Sequence, residues 1–318
     1  MLCRRLVTLA WTLLALITLT SAWPAFRKRD RDARRFDNFE ESFDVLSAYL
    51  NNFRRSFYGF PSNETGKKVA EWRKSMDVNP EELGEYMEGD ILFPPITRRN
   101  GLRKIYAQWP NGVVPFIISP YFNAQQRQLI YDAMEHFHKF TCIRFKQYTG
   151  EESDFIRITS SNTGCWSAVG RIGGPQDINL QVPGCMVKIG TVIHEFMHTL
   201  GFLHEQSRWD RDEFVDILWD NIVRGREHNF NKSTKEITTT FGVGYDYGSV
   251  MHYSSTAFSI NNQSKTIVPK KKLNSSIFDL ISGIFQDNNE VKLGQREGLS
   301  KKDILKIRRM YKCGNFTE

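Results

Sequence analysis

The sequence predicts an α+β domain, because stretches with a strand pattern alternate with stretches of helical periodicity. Val113–Ile118 is a short apolar run, and Phe155–Thr159 alternates between apolar and polar residues, which is typical of half-buried strands. The stretch 124–140 instead repeats its apolar residues every three or four positions and follows Asn123, a favourable helix cap. A second helix is predicted from Lys188 to Leu200.

The remaining elements complete a mixed arrangement. Further strands are expected at Ile143–Lys146 and Asp177–Val182, and a closing helix is expected to begin after Ser300 and end near Tyr311. Between Gly201 and the closing helix the pattern is less regular. The predicted buried face of the helix 124–140 consists of Ile130, Met134, Phe137 and Phe140.

Three histidines in the second half of the chain have the spacing of metal ligands. His194 and His198 are four residues apart, so they lie on one face of a helix. Gly201 tolerates the backbone conformation that ends a helix, and the chain can then return His204 to the same point. Three imidazoles and one open position are typical of a catalytic zinc site.

The pattern also contains a candidate general base. Glu195 follows the first histidine and can take a proton from a zinc-activated water and pass it to a leaving amine. A bare H-E-x-x-H match is also common on solvated helix faces. The added glycine and third histidine make the pattern the metzincin signature and strongly favour a Zn²⁺ site.

The residues around this signature resemble the astacin family of metallopeptidases. The resemblance rests on HEFMHTLGFLHEQSRWDRD from His194 and on YDYGSVMHY from Tyr245 to Tyr253. It implies a zinc endopeptidase with the α+β metzincin (zincin) fold. In that fold an N-terminal subdomain holds a twisted mixed sheet and the zinc helix, and an irregular C-terminal subdomain ends in a closing helix.

Three further residues obtain roles through this resemblance. Met251, in the family's Met-turn (Ser249–Tyr253), would form an apolar floor beneath the zinc. Tyr253 would bind zinc in the resting enzyme or stabilise the tetrahedral intermediate; the alternative is a buried aromatic residue. Glu205 would meet the new N-terminus after activation, or else be an exposed carboxylate paired with Arg208 or Arg211.

A latent form is predicted from Met87-Glu88-Gly89-Asp90. Astacin propeptides carry F-x-G-D, whose aspartate binds the zinc, and this chain has methionine in place of the phenylalanine. Asp90 is therefore the expected fourth ligand in the latent form only, although an ordinary Gly-Asp turn would have the same sequence. Alignment of Trp109 with the family's early tryptophan places the mature start near Asn100, after Arg98-Arg99.

The N-terminus has the pattern of a secretory signal. A basic start, an apolar stretch over 6–19 and small residues at 20–22 predict cleavage after Ala22; the alternative is a signal anchor. The apolar stretch is shorter than the ~20 residues that span a bilayer. We therefore expect a signal peptide (1–22), a propeptide (23–99) and a peptidase domain (100–318), secreted to the extracellular space without membrane insertion.

The cysteines and sequons suit that compartment. Outside the signal peptide the cysteines number four, so sequence alone allows three pairings. The resemblance implies Cys142–Cys313 and Cys165–Cys185. Candidate N-glycosylation sites are Asn63, Asn231, Asn262, Asn274 and Asn315.

Composition limits the partners. The formal net charge is +7. Basic and aromatic residues do not alternate in the way that is typical of nucleic-acid binding, so we expect no nucleic-acid partner. We expect a monomer that acts on proteins or peptides after processing by an activating protease. The competing hypotheses are a catalytically silent homologue that binds proteins and a zinc hydrolase with a non-peptide substrate. Residues 270–293 form an expected surface insertion.

Overall fold

The structure is a computed structural model that describes residues 59–93, 108–270, 285–286 and 290–314. Several predictions lie outside these residues: the signal peptide, the Arg98-Arg99 cleavage site, Asn274 and Asn315, and most of the insertion. The apolar residues of 37–60 also recur at helical spacing, but the helix that this predicts lies outside the described residues apart from its last two residues, which are not helical. Among the described residues no helix has the length and apolar character that a membrane span requires.

A five-stranded mixed sheet lies between residues 113 and 180. Its strands are β1 (Val113–Ile118), β2 (Arg144–Gln147), β3 (Phe155–Thr159), β4 (Cys165–Ser167) and β5 (Pro175–Leu180). The order is β2-β1-β3-β5-β4, and only β4, at one edge, runs antiparallel to its neighbour.

Two details of this sheet differ from the sequence predictions. The strand expected at 177–182 begins and ends two residues earlier, because its register with β3 pairs Phe155 with Pro175 and Thr159 with Asn179. The edge strand β4 was not predicted, since three residues are too few for a periodicity to be read.

Within the described residues, four α-helices accompany the sheet: α1 (Asn63–Glu71), α2 (Ala124–Phe140), α3 (Ile189–Leu200) and α4 (Lys301–Met310). The prediction of α2 is confirmed, including its Asn123 cap. Its buried face differs from the predicted one at two positions: Ala133 is also buried, and Phe140, at the C-terminal end of the helix, is only half-buried. Helix α1 was not predicted.

The histidine-bearing helix α3 is enclosed on all sides. Every residue from Gly190 to Leu200 is buried, which agrees with a helix that is apolar around most of its circumference. The ring of Phe196 packs against Phe137 of α2, at 6.2 Å between centroids, and belongs to the main apolar core. This burial fixes the ligand-bearing side chains on a rigid element.

The C-terminal half is irregular, as predicted. Its short strands are β6 (Val215–Ile217), β7 (Ile267–Pro269), β8 (Phe285–Gln286) and β9 (Glu290–Val291), paired as β6–β7 and β8–β9. Helix α4 begins at a capping box formed by Ser300 and Asp303.

Both disulfides have the pairing that the family resemblance implies. Cys142 is bonded to Cys313, which ties the chain just beyond α4 to the segment between α2 and β2. Cys165 is bonded to Cys185, which links the edge strand β4 to the segment that precedes the histidine-bearing helix. The second bond therefore lies close to the elements that carry the predicted metal ligands.

Candidate metal centre

Helix α3 presents two histidines to one point, and the chain beyond it supplies a third. Gly201 ends the helix with φ +109°, a conformation that strongly favours glycine, and its N–H donates to the carbonyl of His198. The ring centroids of His194, His198 and His204 lie 4.8 to 5.1 Å apart, and all three rings are buried. The predicted helix-and-turn geometry is present.

Each histidine is oriented through its Nδ1 atom. Nδ1 of His194 lies 2.8 Å from the Val250 carbonyl, and Nδ1 of His198 lies 2.8 Å from the Phe202 carbonyl. The acceptor at His204 is a carboxylate instead, because Nδ1 lies 2.7 Å from Oε2 of Glu88. With Nδ1 donating in each ring, the three Nε2 atoms are the ones left to bind a metal.

Asp90 completes a group of four metal-ligand side chains. Its Oδ2 lies 2.9 Å from Nε2 of His194, and its Oδ1 lies 3.3 Å from Nε2 of His198. One ligand atom from each of Asp90 and the three histidines lies within 4.8 Å of all the others. A carboxylate from upstream thus occupies the position beside the three imidazoles.

A tight turn delivers this carboxylate. Glu88 and Gly89 both have positive φ, +47° and +89°, so the chain reverses immediately before Asp90. A Cβ on Gly89 would lie 2.9 Å from the ring of Phe258 and 3.1 Å from the Glu81 carbonyl. Both the conformation and the space therefore require glycine.

The donor atoms fit a bound zinc ion. Oδ1 of Asp90 and Nε2 of His198 are buried and make no hydrogen bond, a costly arrangement unless a cation lies between them. Three nitrogens and one oxygen in a closed group are a tetrahedral zinc donor set. The residues present therefore fit the metal that the motif predicts.

The electrostatics also favour a cation. Burial and the Arg296 guanidinium lower the pKa of His194 to about 4. Burial acts in the same direction on His204, but the Asp90 carboxylate raises the pKa of this imidazole to about 9. A buried carboxylate that favours positive charge on a neighbouring ring also favours a divalent cation, which replaces the proton.

Glu195 is buried beside this group. Among the described residues, neither of its carboxylate oxygens has a hydrogen-bond partner. Burial raises its pKa well above the usual range, and the charges of Asp90 and Glu81 raise it further. Both of these charges belong to the upstream segment, residues 59–93, so departure of that segment would remove them.

The hydroxyl of Tyr253 contacts the upstream segment. It donates a 2.6 Å hydrogen bond to the Glu88 carbonyl, while the tyrosine ring packs against His204 with 4.6 Å between centroids. Met251 is buried in the main core with Met197 and Leu200. Tyr253 is thus held at the metal group by the segment that the sequence predicts to be removed. Met251 is held there by the domain core.

The upstream segment is anchored by residues that the sequence analysis missed. Glu81 forms a fully buried ion pair with Arg296, and Glu82 accepts hydrogen bonds from the backbone and hydroxyl of Ser254, at 2.7 and 2.6 Å. The available signal was Asn79-x-x-Glu82, which forms a capping box around the 3₁₀ turn Pro80–Leu83.

The same segment also pairs with the sheet edge. Leu92 N–H donates to the carbonyl of Ser167 on β4, and Ser167 N–H donates to the carbonyl of Asp90. The upstream backbone thus lies along the strand edge beside the histidines, where β4 would otherwise offer its hydrogen-bonding groups to another peptide.

Glu205 is buried and paired within the domain body. Lys306 and Arg208 form ion pairs with its carboxylate, and the N–H of Asp246 donates to it at 2.9 Å. Burial opposes ionisation, but Lys306 and Arg208 lower its pKa below the usual value. The alternative, an exposed carboxylate paired with Arg208 or Arg211, is wrong about the exposure, because α4 and the Met-turn cover Glu205, but its pairing with Arg208 is present.

Comparison with known proteins identifies the family. A family model described as "Astacin", a peptidase family, matches residues 101–312. The chain belongs to the astacin family. This assignment confirms the predicted family, which is a family of zinc endopeptidases, and its α+β fold.

Individual astacin relatives agree. The chain is 41% identical over 220 residues to zinc metalloproteinase nas-13 of Caenorhabditis elegans, covering 69% of this chain and 44% of nas-13. It is 39% identical over 241 residues to meprin A subunit beta of Homo sapiens, covering 75% of this chain and 31% of that protein. The chain therefore spans less than half the length of these two relatives.

A solved structure supports the fold. High choriolytic enzyme 1, a hatching enzyme zinc-protease from Oryzias latipes, is 37% identical, with a TM-score of 0.56. The match covers 68% of this chain and 98% of that chain.

Proposed function

We propose that this chain is the latent precursor of a secreted zinc endopeptidase. The observation that carries the proposal is the buried group of His194, His198, His204 and Asp90, in which the fourth donor comes from outside the family domain. In this interpretation residues 1–22 are a signal peptide, 23–99 a propeptide, and 100–318 the peptidase. The two disulfides support an oxidising compartment.

Hydrolysis in the processed enzyme would depend on Glu195. A bound zinc, held by the three histidines, supplies Lewis acidity that polarises the substrate carbonyl and lowers the pKa of water. Glu195 would accept the proton of the attacking water and pass it to the leaving amine. Its buried position beside the ligands suits this role, because no other hydrogen-bond partner within the described residues competes for its oxygens.

Tyr253 and β4 would act on the substrate. Removal of the propeptide would release the Tyr253 hydroxyl from the Glu88 carbonyl, so it could donate to the oxyanion of the tetrahedral intermediate. The same removal would free the N–H and C=O of Ser167 for an extended substrate backbone. The precursor would be latent because Asp90 lies beside the three histidines and the upstream backbone occupies the edge of β4.

The test begins with the purified precursor. We expect trypsin treatment to produce a new N-terminus near Asn100 and hydrolysis of casein that a chelator abolishes. Glu195→Ala should lower this hydrolysis by about 10²-fold or more, the usual size of a lost general base. Glu213→Ala, at an exposed carboxylate, should leave it unchanged.

Three outcomes would contradict the proposal. Full hydrolysis by Glu195→Ala would exclude the assigned base. No hydrolysis of casein or gelatin by the processed protein would favour a silent binding protein or a hydrolase with a non-peptide substrate. A start site far from Asn100 would contradict the proposed domain boundary.

A further inference from the structure

We propose that Glu88 is a positioning residue for the metal: in the precursor its carboxylate orients His204 and slows release of zinc. The proposal rests on the function proposed above and goes beyond the ligand role of Asp90. It assigns the upstream segment two contributions to the metal centre: Asp90 as a ligand, and Glu88 as the hydrogen-bond acceptor of the ligand His204. Both would be lost when the segment is removed.

The three histidines differ in the group that accepts the hydrogen bond of their Nδ1 atom. His194 and His198 each face a backbone carbonyl of the domain body, from Val250 and Phe202. His204 faces the Glu88 carboxylate at 2.7 Å. The domain body therefore orients two of its three histidines with its own backbone, whereas the third takes its acceptor from a segment that processing removes.

Glu88 is held in place independently of that contact. Its side chain is 1% exposed, and its backbone carbonyl accepts the 2.6 Å hydrogen bond from Tyr253. Its positive φ belongs to the turn that also delivers Asp90. The backbone turn therefore fixes both carboxylates, and the Glu88 side chain reaches His204 without solvent between them.

A carboxylate behind a metal-ligating imidazole has a known physical effect. It fixes the tautomer and ring orientation and raises the basicity of the ligating nitrogen, and its loss typically weakens metal binding by about 10–100-fold. The effect exceeds that of a neutral carbonyl, because the carboxylate attracts the positive charge that the ring shares with the metal. The precursor should therefore retain zinc longer than the processed enzyme does.

The experiment measures zinc release rather than proteolysis. Zinc-loaded precursors are mixed with excess chelator, and release is followed with a fluorescent zinc indicator. We expect Glu88→Ala to release zinc about 10–100-fold faster than the unaltered precursor. Glu88→Gln, which keeps an acceptor but loses the charge, should fall between them. Glu64→Gln, an exposed carboxylate of the same segment, should match the unaltered precursor.

Processing provides a control within each variant. Residue 88 lies upstream of the cleavage site, so processed enzymes from all variants have the same sequence and should release zinc at one common, faster rate. Cobalt(II)-substituted precursors provide a second readout, because a reoriented ligand changes the visible absorption spectrum. A shifted spectrum in Glu88→Ala that Glu88→Gln largely restores would indicate positioning rather than general misfolding.

The outcomes separate this proposal from the function. Equal release rates and equal cobalt spectra for Glu88→Ala and the unaltered precursor would overturn the role of Glu88 while leaving the peptidase intact. A precursor that binds no stoichiometric zinc would instead overturn the proposed function itself.

Discussion

Two groups of buried carboxylates contact the Met-turn and its surroundings, and they differ in whether the proposed processing would remove them. The upstream group consists of Glu81, Glu82, Glu88 and Asp90. The body group consists of Glu205, Asp246 and Asp303. Both groups are almost completely shielded from water, so each requires hydrogen-bond partners or nearby cations.

Their partners show the difference. The upstream carboxylates face groups that would remain after the proposed processing: the three histidines, Arg296 and Ser254. The body carboxylates face Lys306, Arg208 and the backbone of the Met-turn, all within the same domain. Loss of the upstream group would thus alter the metal site, whereas the body group keeps the Met-turn in place throughout.

The comparison also bears on activation. The resemblance implies that Glu205 meets the new N-terminus, but both of its oxygens already have partners in Lys306, Arg208 and the Asp246 N–H. A new amine would therefore join or displace an existing cation. Sensing of activation by Glu205 remains a prediction, and Lys306 is the residue with which the amine would compete.

The largest expected effect is from Asp90→Ala in the full precursor. Loss of a charge-assisted contact of about 3 kcal/mol raises the fraction of molecules with an open site by roughly 100-fold. Unprocessed Asp90→Ala should therefore hydrolyse casein, measured with the Arg98-Arg99 site mutated to prevent cleavage. Asp77→Ala, at an exposed carboxylate of the same segment, should stay latent. Unchanged latency in Asp90→Ala would place inhibition in the strand pairing and in Glu81 instead.

A smaller effect is expected from Lys306→Met, which leaves the body carboxylate Glu205 with Arg208 alone. Breaking a buried pair costs about 3–5 kcal/mol, and the remaining arginine should bring the loss of unfolding free energy to about 2–3 kcal/mol. Urea unfolding of the precursor measures it. Lys146→Met, on an exposed lysine, is the matched control.

A double variant tests the cause of that loss. Glu205→Gln combined with Lys306→Met removes both charges and should recover much of the stability, because no charge is left unpaired. Equal stability of Lys306→Met and the unaltered chain would mean that Lys306 does not neutralise Glu205.

The sequence predicted the histidine-bearing helix better than it predicted the buried carboxylates of the upstream group. The zinc helix and its histidines follow from periodicity and from Gly201, which are local signals. Glu81, Glu82 and Glu88 lie in a charged stretch that resembles a solvated surface, and their partners are more than 100 residues away. No local pattern marks such pairs, since the fold alone brings them together. Asp90 was found only because the family resemblance gave its neighbours a meaning.

The smallest effect concerns the pH dependence of the body group. Burial, followed by the charge of Asp303, raises the pKa of Asp246 to about 6. An unfolded aspartate has a pKa of about 4. The folded state therefore binds this proton more tightly, so its contribution to stability is complete below about pH 4 and is lost as the pH rises through about 6.

Asp246→Asn removes that proton equilibrium and isolates its contribution. The stability difference between Asp246→Asn and the unaltered precursor should change by about 1–2 kcal/mol between about pH 5 and pH 7, with the unaltered chain relatively more stable at the lower pH. Urea unfolding at several pH values measures the difference, and Asp220→Asn, at an exposed carboxylate, should show no such change. A constant difference across this range would mean that Lys306 and the Ser300 hydroxyl stabilise the Asp246 carboxylate enough to offset its burial and the charge of Asp303. In that case the charges of the body group would be neutralised by their partners at neutral pH. The body group would then differ more clearly from the upstream group, which includes the carboxylates that face the metal ligands.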